Sequence, residues 1–341
     1  MELTLSKTQS LYIIVLWNIK QMPESTRIIE IPVMSFDLGN RKNAATVGKG
    51  VIHYPSYAGI KKARQTVDVN SPSFVRNKSF LVEFGSCSYI VGQESAELLE
   101  HNPTYTGDKW KKVKEFLFAS IHALNIGKTL HIKELRCSVP DDLDEAQCGP
   151  FRSMANKTHP FIVNGTEYKV RIDKVVVVAE GVFAWYRAIK ENLLQYSGYV
   201  NGVLDLGGGT AIGRLINPNG TILRGREVVL DRGTYELANS IAGELRDSKL
   251  KESMIMDSIA DGTFLVKGVN FKSVYDYILP TWVEGIRSDL NTAWKPLAGS
   301  YAQILVVGGS APLFAPFVSD NPKYVIAPNP QFYGLEGMHN G

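Results

Sequence analysis

The sequence predicts an α/β protein with two domains, and three short stretches carry this prediction. In each stretch a strand-like run of residues ends in glycine; the three are 35–40, 203–210 and 304–311. The chain has 341 residues, which is long enough to build two sizeable cores. With 44% hydrophobic and 21% charged residues, its composition is that of an ordinary globular protein.

The stretch 203–210 is the most informative, because an acidic residue ends the strand and three glycines and a hydroxyl follow it. These residues are Asp205, Gly207, Gly208, Gly209 and Thr210. Glycines let the backbone turn tightly and bring its N–H groups close to an anion. An aspartate beside such a loop repels phosphate unless a cation lies between them, and Mg²⁺ carried by a nucleotide is the usual one. The stretch therefore predicts a phosphate-binding hairpin for Mg-ATP, with a plain glycine-rich turn as the alternative.

The other two stretches repeat parts of this layout. The first contains Asp37, Gly39 and Asn40, and the last contains Gly308, Gly309 and Ser310. Taken in order, the three stretches resemble the phosphate 1, phosphate 2 and adenosine motifs of the actin-like ATPase superfamily. The resemblance implies an actin-like (ribonuclease H-like) fold, in which two similar α/β domains face each other across a nucleotide cleft. Each domain would offer one Asp–Gly hairpin to the phosphates.

The resemblance also implies roles for single residues. Asp37 and Asp205 would hold Mg²⁺ through water molecules, and the two glycine hairpins with Thr210 would contact the phosphates. Lys42 is the candidate phosphate-binding cation, although the family's lysine stands slightly later in its loop, so a solvated surface lysine is the alternative. Glu236 or Glu244, in a helix that opens at Gly233 with Thr234 as its cap, would reach a ribose hydroxyl, with a helix-surface carboxylate as the alternative.

The run of valines at 175–178, followed by Ala179 and Glu180, is the second most informative stretch. A continuous β-branched run predicts a strand buried on both faces of a parallel sheet. Active groups of such sheets gather at the C-terminal ends of the strands. In plasmid-segregation proteins of the ParM/StbA type, the corresponding strand ends in Pro-Glu, and that glutamate is implicated in hydrolysis. We therefore predict Glu180 as the water-activating catalytic residue, acting with Asp205; a plain helix cap is the alternative.

Two other segments are similar to the ParM/StbA-type family. The strand–turn–strand at 80–94 resembles its small subdomain, and the tail at 328–337 resembles its Pro-x-x-Gln-Phe ending. The family resemblance implies a cytoplasmic ATPase that binds ATP or ADP with Mg²⁺ and polymerises into dynamic filaments. It further implies a role in plasmid segregation, through an adaptor protein bound at a centromere-like DNA site.

The predicted domain organisation has three parts. Residues 1–33 form an N-terminal extension, either disordered or an artefact of the assigned start, because Met34 stands just before the first motif. Pro32 argues against an internal strand there. Residues 34–180 form the first domain with its small subdomain, and residues 181–341 form the second, with the C-terminal segment packing back on the first. The apolar run at 11–17 is too short to span a bilayer.

Several segments have clear local patterns. Apolar residues at helical spacing predict a helix over 109–124, and a longer one over 271–294. Turn residues predict hairpins at 161–170 and at 214–223. The acidic cluster 141–145 predicts a helix N-cap and first turn, with a Mg²⁺ site as the alternative.

Charge and cysteine content narrow the functional classes. A formal net charge of +3 shows no concentrated basic character, so we expect neither direct nucleic-acid binding nor membrane association. Three cysteines without paired spacing, Cys87, Cys137 and Cys148, fit a reducing cytosol and buried apolar positions. Two alternatives to a filament-forming ATPase stay open: an ATP-binding scaffold that does not polymerise, and a small-molecule kinase of the same superfamily.

Overall fold

The computed structural model describes residues 28–48, 50–62, 64–98, 108–195, 198–246 and 250–341. Within them the strands are β1 (Ile28–Leu38), β2 (Lys42–Thr46), β3 (Val51–Pro55), β4 (Ala58–Ile60), β5 (Phe80–Phe84), β6 (Cys87–Val91), β7 (Thr129–Val139), β8 (Lys157–Val163), β9 (Thr166–Ala179), β10 (Val200–Leu206), β11 (Ala211–Ile216), β12 (Val228–Leu230), β13 (Leu265–Val266), β14 (Val269–Asn270), β15 (Tyr301–Val307) and β16 (Tyr324–Ile326). The α-helices are α1 (Pro72–Arg76), α2 (Gln93–Leu98), α3 (Val113–Leu124), α4 (Glu145–Arg152), α5 (Val182–Lys190), α6 (Thr234–Leu245), α7 (Glu252–Ala260), α8 (Lys272–Trp294), α9 (Ala311–Phe314) and α10 (Tyr333–Asn340). Short 3₁₀ helices cover Asp108–Lys112, Lys295–Leu297 and Ala315–Phe317.

Two large sheets share one topology. The first has the order β3-β2-β1-β7-β9-β8-β5-β6-β4, and the second has the order β12-β11-β10-β15-β16. In both, the central strand (β1 or β10) has an antiparallel hairpin partner on one side and a parallel strand on the other. The first five strands of the large sheet therefore repeat the whole of the smaller one. The remaining four strands extend the first sheet into its additional part.

Helices cover the sheets and build two main cores. The amphipathic α3 packs on the first sheet, where Phe116, Leu117 and Ile121 are completely buried. In the second core, α6, α7 and α8 bury residues such as Ile286 and Trp294 against the smaller sheet. The C-terminal α10 contacts α5, β1 and β2, and so lies where the two parts of the chain meet.

The N-terminal boundary predicted at residue 33 is wrong. β1 begins at Ile28 and pairs in parallel with β7 from Ile28↔Thr129 onward. Pro32 fits in this strand because β2 reaches only as far as Ser35, so one side of β1 has no ladder to interrupt at residue 32. The predictions made for residues 1–27, including the apolar run at 11–17, lie outside the described residues.

Most local predictions are confirmed. The hairpin of β8 and β9 turns at Asn164 and Gly165, which both have positive φ. The side chain of Asp144 accepts a hydrogen bond from the N–H of Ala146 at 2.9 Å, so the acidic cluster provides a helix N-cap. A long helix, α8, covers nearly all of the predicted segment 271–294 and contains Pro280.

Three details differ from the predictions. Cys87 is exposed, whereas Cys137 and Cys148 are buried as expected. The valines at 175–178 are only half-buried, because β8 pairs with β9 no further than Ile172 and leaves one side of the strand end open. Thr234 does not cap α6: Gly233 is the N-cap residue, and the Thr234 hydroxyl is hydrogen-bonded elsewhere.

Candidate active site

A cleft of about 450 Å³ lies between the two sheets, and both hairpins with glycine open into it. The C-terminal ends of β1, β7, β9, β10 and β15 all contribute residues to its walls. Asp37 near the end of β1 and Asp205 near the end of β10 both line this space, so the C-terminal ends of the two central strands meet at the cleft. This is the place where parallel strands usually present functional groups.

The two hairpins have the same length. The last paired residues are Leu38↔Asn43 in the first and Leu206↔Ala211 in the second, so each loop holds four residues. A Cβ on Gly39 would lie 2.4 Å from the carbonyl oxygen of Lys42. Only glycine fits there without a backbone shift, which keeps the loop tight and its main chain accessible to a ligand.

Three carboxylates lie at strand ends in the cleft: Asp37 near the end of β1, Glu180 after β9 and Asp205 near the end of β10. Burial, and then the charge of Glu180, raise the pKa of Asp37 to about 6, although Lys109 and Ser138 oppose the shift. Burial, and then the charges of Glu180 and Asp37, raise the pKa of Asp205 to about 7. Burial is the larger cause of both shifts, and repulsion from the neighbouring carboxylates adds to it.

Two buried cations flank these carboxylates, and neither could be recognised from the sequence. Lys109 is 5% exposed, and its Nζ donates a hydrogen bond to the carbonyl of Leu38 at 3.0 Å. Burial lowers the pKa of Lys109, while Glu180 and Asp37 oppose that shift. Arg214 of β11 is 2% exposed and approaches from the other sheet. In the sequence, Lys109 cannot be distinguished from Lys111, Lys112 or Lys114.

The donor set fits a hydrated magnesium ion. Among the described residues, no three His, Cys, Asp or Glu side chains come close enough together to hold a metal by themselves. Asp37 and Asp205 instead offer oxygen ligands whose mutual repulsion a divalent cation would relieve. Mg²⁺ keeps several waters and is usually shared between one or two carboxylates and substrate phosphates. The alternative magnesium site at 141–145 has no such support, because Asp144 is used as a helix cap.

The residues predicted for the phosphates lie at the cleft with one exception. Asp37, Gly39, Asn40, Lys42, Gly207, Gly208 and Thr210 line it. Gly209 is not among the residues that line the cleft, and a Cβ on it would be 2.9 Å from Nδ2 of Asn40. Lys42 is half-buried, and burial followed by the charge of Arg41 lowers its pKa.

The residues predicted for the adenosine divide into two groups. Gly308, Gly309 and Ser310 line the cleft. The Ser310 hydroxyl donates to the carbonyl of Gly207 at 2.9 Å and is also hydrogen-bonded to Thr234, so it braces the second hairpin. Glu236 does not line the cleft: its carboxylate lies 3.0 Å from Nη1 of Arg232. Glu236 is half-buried and paired with Arg232, so its contact with a ribose stays a prediction.

The cleft also has an apolar part, which was not predicted from the sequence. It is lined by Met256, Ile259 and Ala260 of α7, and by Pro312 and Leu313. A flat heterocycle could pack against such side chains. The helical spacing of Met256 and Ile259 is the same as that of core residues, so the sequence alone cannot show that they border a cavity.

Comparisons with known proteins identify the fold. No protein-family model and no curated protein sequence matches the chain. Among solved structures, the apo ParM protein of pSK41 is 20% identical with a TM-score of 0.65, covering 90% of this chain and 95% of that one. Ta0583, an archaeal actin homolog in complex with ADP, is 15% identical with a TM-score of 0.71, covering 91% and 98%. A ParM from a 15-stranded filament of Clostridium botulinum is 17% identical with a TM-score of 0.67, covering 92% and 99%.

These matches establish the architecture. The chain has the two-domain actin-like fold, and ParM proteins are among the structures that it resembles. The predicted fold class and the predicted resemblance are thus confirmed. The described part of the chain contains no helix long and apolar enough to cross a membrane.

Proposed function

We propose that this protein binds Mg-ATP in the cleft, hydrolyses it to ADP and phosphate, and assembles with copies of itself into filaments. The observation that carries the proposal is the meeting of three carboxylates, from the ends of β1, β9 and β10, with two glycine hairpins of equal length. Paired hairpins offer main-chain N–H groups to phosphates, and the carboxylates suit a metal and an attacking water.

In this proposal each group has a separate task. Glu180 orients a water molecule and accepts its proton as the water oxygen attacks the γ-phosphorus and the bond to the bridging oxygen breaks. Asp37 and Asp205 hold hydrated Mg²⁺, which when bound neutralises charge on the phosphates. Lys109 supplies a fixed positive charge beside Asp37 and Glu180. Such a site works mainly by positioning and by electrostatic stabilisation.

The proposed nucleotide is an adenine nucleotide, with the base against the apolar surface of Met256, Ile259 and Leu313. One structure with a similar fold contains ADP. The phosphates would then lie between the hairpins, and Gly308 would allow close approach near Asp205. A Cβ on Gly308 would be 2.6 Å from Oδ1 of Asp205, so a side chain is not tolerated at this point.

The filament and its role in the cell are proposed from the likeness to filament-forming proteins. Two of the similar structures are filaments, one of ParM and one of Alp12. By this likeness, we propose a cytoplasmic filament that segregates plasmid DNA through a DNA-binding adaptor protein. Hydrolysis within the filament would weaken subunit contacts and make the filament dynamic.

Right-angle light scattering, with phosphate release recorded in parallel, tests this function. After Mg-ATP is added across a series of protein concentrations, we expect scattering to rise only above a critical concentration and to decay as ATP is consumed. Turnover without scattering at high concentration would contradict the filament. ATP consumption only in the presence of a small acceptor molecule would indicate a kinase, and binding without turnover a scaffold.

A further inference from the structure

Arg214 has no role in the function proposed above, yet its side chain contacts the main chain beside the catalytic carboxylate. It lies in β11 of the second sheet, opposite Val203 of β10, but its side chain leaves that sheet. Nη1 donates to the carbonyl of Glu180 at 2.8 Å, and Nη2 donates to the carbonyl of Pro140. One side chain of the second domain therefore holds two strand ends of the first.

The ladder of the sheet stops just before these two strand ends. The ladder between β7 and β9 ends with the pair Val139↔Ala179, followed by one hydrogen bond from the N–H of Glu180 to Val139 at 2.8 Å. Pro140 has no N–H and cannot continue the ladder. At Gly181 the backbone turns away with φ of +84°. The main chain of Glu180 thus stands at a free strand end, where Arg214 provides its outer hydrogen bond.

The chemistry of arginine suits this contact. Its planar guanidinium can donate to two acceptors at once and stays charged when buried, whereas a lysine ammonium is a compact point charge. Burial lowers the pKa of Arg214, and the charges of Glu180 and then Asp205 are the main ones that oppose this shift. A cation that was needed only for charge balance would not have to bind two main-chain carbonyls.

We infer that Arg214 is a positioning residue, which fixes the carboxylate of Glu180 relative to the hairpin of the second domain. The hydrolytic part of this inference rests on the proposed function. Because Arg214 belongs to one domain and Glu180 to the other, the contact holds the carboxylate in place only while the domains keep this arrangement, and a rotation between them would break it. The contact therefore makes hydrolysis depend on how the cleft is closed.

The chain offers a matched control in Arg224. Its Nη2 lies 2.7 Å from Oδ1 of Asp142, so it also joins the second domain to the end of β7. Arg224 is 41% exposed, however, and its hydrogen-bonded partners are Asp142 and Glu227 rather than the main chain of Glu180. Arg224→Lys changes a cation at the same junction without touching the proposed catalytic end.

The test compares Arg214→Lys with Arg224→Lys in the full-length protein. For Arg214→Lys we expect single-turnover ATP hydrolysis to slow by about tenfold to a hundredfold. Its Kd for Mg-ATP should stay within about threefold of wild type, since no phosphate contact is lost. In a Glu180→Gln background the same change should have little further effect, because both act on one step. Arg224→Lys should hydrolyse ATP like wild type.

Hydrogen exchange on the nucleotide-free protein gives a readout that needs no activity. Arg214→Lys should speed exchange in peptides spanning 139–146 and 178–184, and Arg224→Lys should not speed it in the second of these. If wild type hydrolyses no ATP, the proposed function fails while this exchange result still decides the inference. If Arg214→Lys is insoluble, Arg214→Gln serves in its place.

Three results would overturn the inference. The first is unchanged hydrolysis in Arg214→Lys, and the second is unchanged exchange at 178–184. The third is a double variant whose hydrolysis rate falls by the product of the two single effects, together with a matching loss of Mg-ATP affinity in Arg214→Lys. That result would show a general structural role for Arg214.

Discussion

The two hairpins at the cleft have the same residue spacing but different side chains. In each, glycine stands two residues after the aspartate, and the fifth residue after the aspartate closes the loop: Lys42 in the first hairpin and Thr210 in the second. The first hairpin holds the polar side chains of Asn40 and Arg41 where the second has glycine. The same spacing with different side chains indicates that the two hairpins have different functions.

The difference has a direct structural cause, because the hairpins pack against each other. A Cβ on Gly208 would be 3.2 Å from Cβ of Arg41, and one on Gly209 would be 2.9 Å from Nδ2 of Asn40. The glycines of the second hairpin leave room for the side chains of the first. Arg41 extends further and forms an ion pair with Asp257 of α7, across the cleft. The glycine run thus serves the contact between domains as well as the approach of an anion.

The largest effect that we expect comes from Gly39→Ala. Its new Cβ would meet the backbone carbonyl of Lys42, which cannot move without opening the loop. We expect the free energy of unfolding to fall by about 3 kcal/mol, measured by urea denaturation. Gly209→Ala is the matched variant, since its Cβ meets only the end of the Asn40 side chain, and should cost less than about 1 kcal/mol. Equal losses would show that the two hairpins are not constrained differently.

Asp205→Asn should separate binding of the metal from binding of the nucleotide. In Mg²⁺ we expect ATP affinity to fall by about tenfold to a hundredfold, because a charged ligand of the hydrated ion is lost. In EDTA the variant should bind ATP at least as tightly as wild type, because a carboxylate that repels phosphate is gone. Calorimetric titration in both buffers measures this. Equal losses in Mg²⁺ and EDTA would contradict a metal role, and Asp37→Asn compares the first hairpin.

Lys109→Met and Lys42→Met decide which lysine serves the phosphates. We expect about a tenfold loss of ATP affinity for Lys109→Met, because this buried ammonium is fixed beside Asp37 and Glu180. Lys42→Met should lose less than about threefold, since Lys42 is more accessible. Fluorescent-nucleotide titrations measure both. The reverse order would restore the role that the sequence predicted for Lys42.

The smallest effect is the pH dependence of the nucleotide-free protein. The pKa values of Asp37 and Asp205 rise from 3.8 to about 6 and about 7 on folding, so the folded state binds protons more tightly than the unfolded state. Stability should therefore increase as the pH falls from about 8 to about 5. Thermal melts should show a Tm higher by a few degrees, and Asp205→Asn should flatten the trend. A Tm that falls over this range in wild type and variant alike would argue against the shifts.

Features that depend on a local pattern of residues could be predicted from the sequence. Apolar runs that end in glycine located the hairpins, and the valine run located the strand before Glu180. These features are formed by residues that are adjacent in the chain, so they can be recognised from a single sequence. The boundary at Pro32 failed because a proline excludes an internal ladder, and the sequence does not show that β2 stops at Ser35.

Features that arise from tertiary contact could not be predicted. Lys109 stands among other lysines, and nothing in the sequence indicates that it alone is buried in the cleft. Arg214 occupies an ordinary position in a short strand, and its partners lie more than thirty residues away in the chain. Met256 has the spacing of a core residue. Each gains its role only when the two domains come together.

The role of Glu180 is best tested by single-turnover hydrolysis of wild type and Glu180→Gln, with Kd for Mg-ATP measured on the same samples. We predict that wild type converts bound ATP to ADP and phosphate, and that Glu180→Gln binds ATP within about threefold of wild type but hydrolyses it at least about a hundredfold more slowly. An equal rate in the two proteins would remove Glu180 from the reaction. Loss of ATP binding in the variant would show that Glu180 serves the nucleotide site rather than the attacking water.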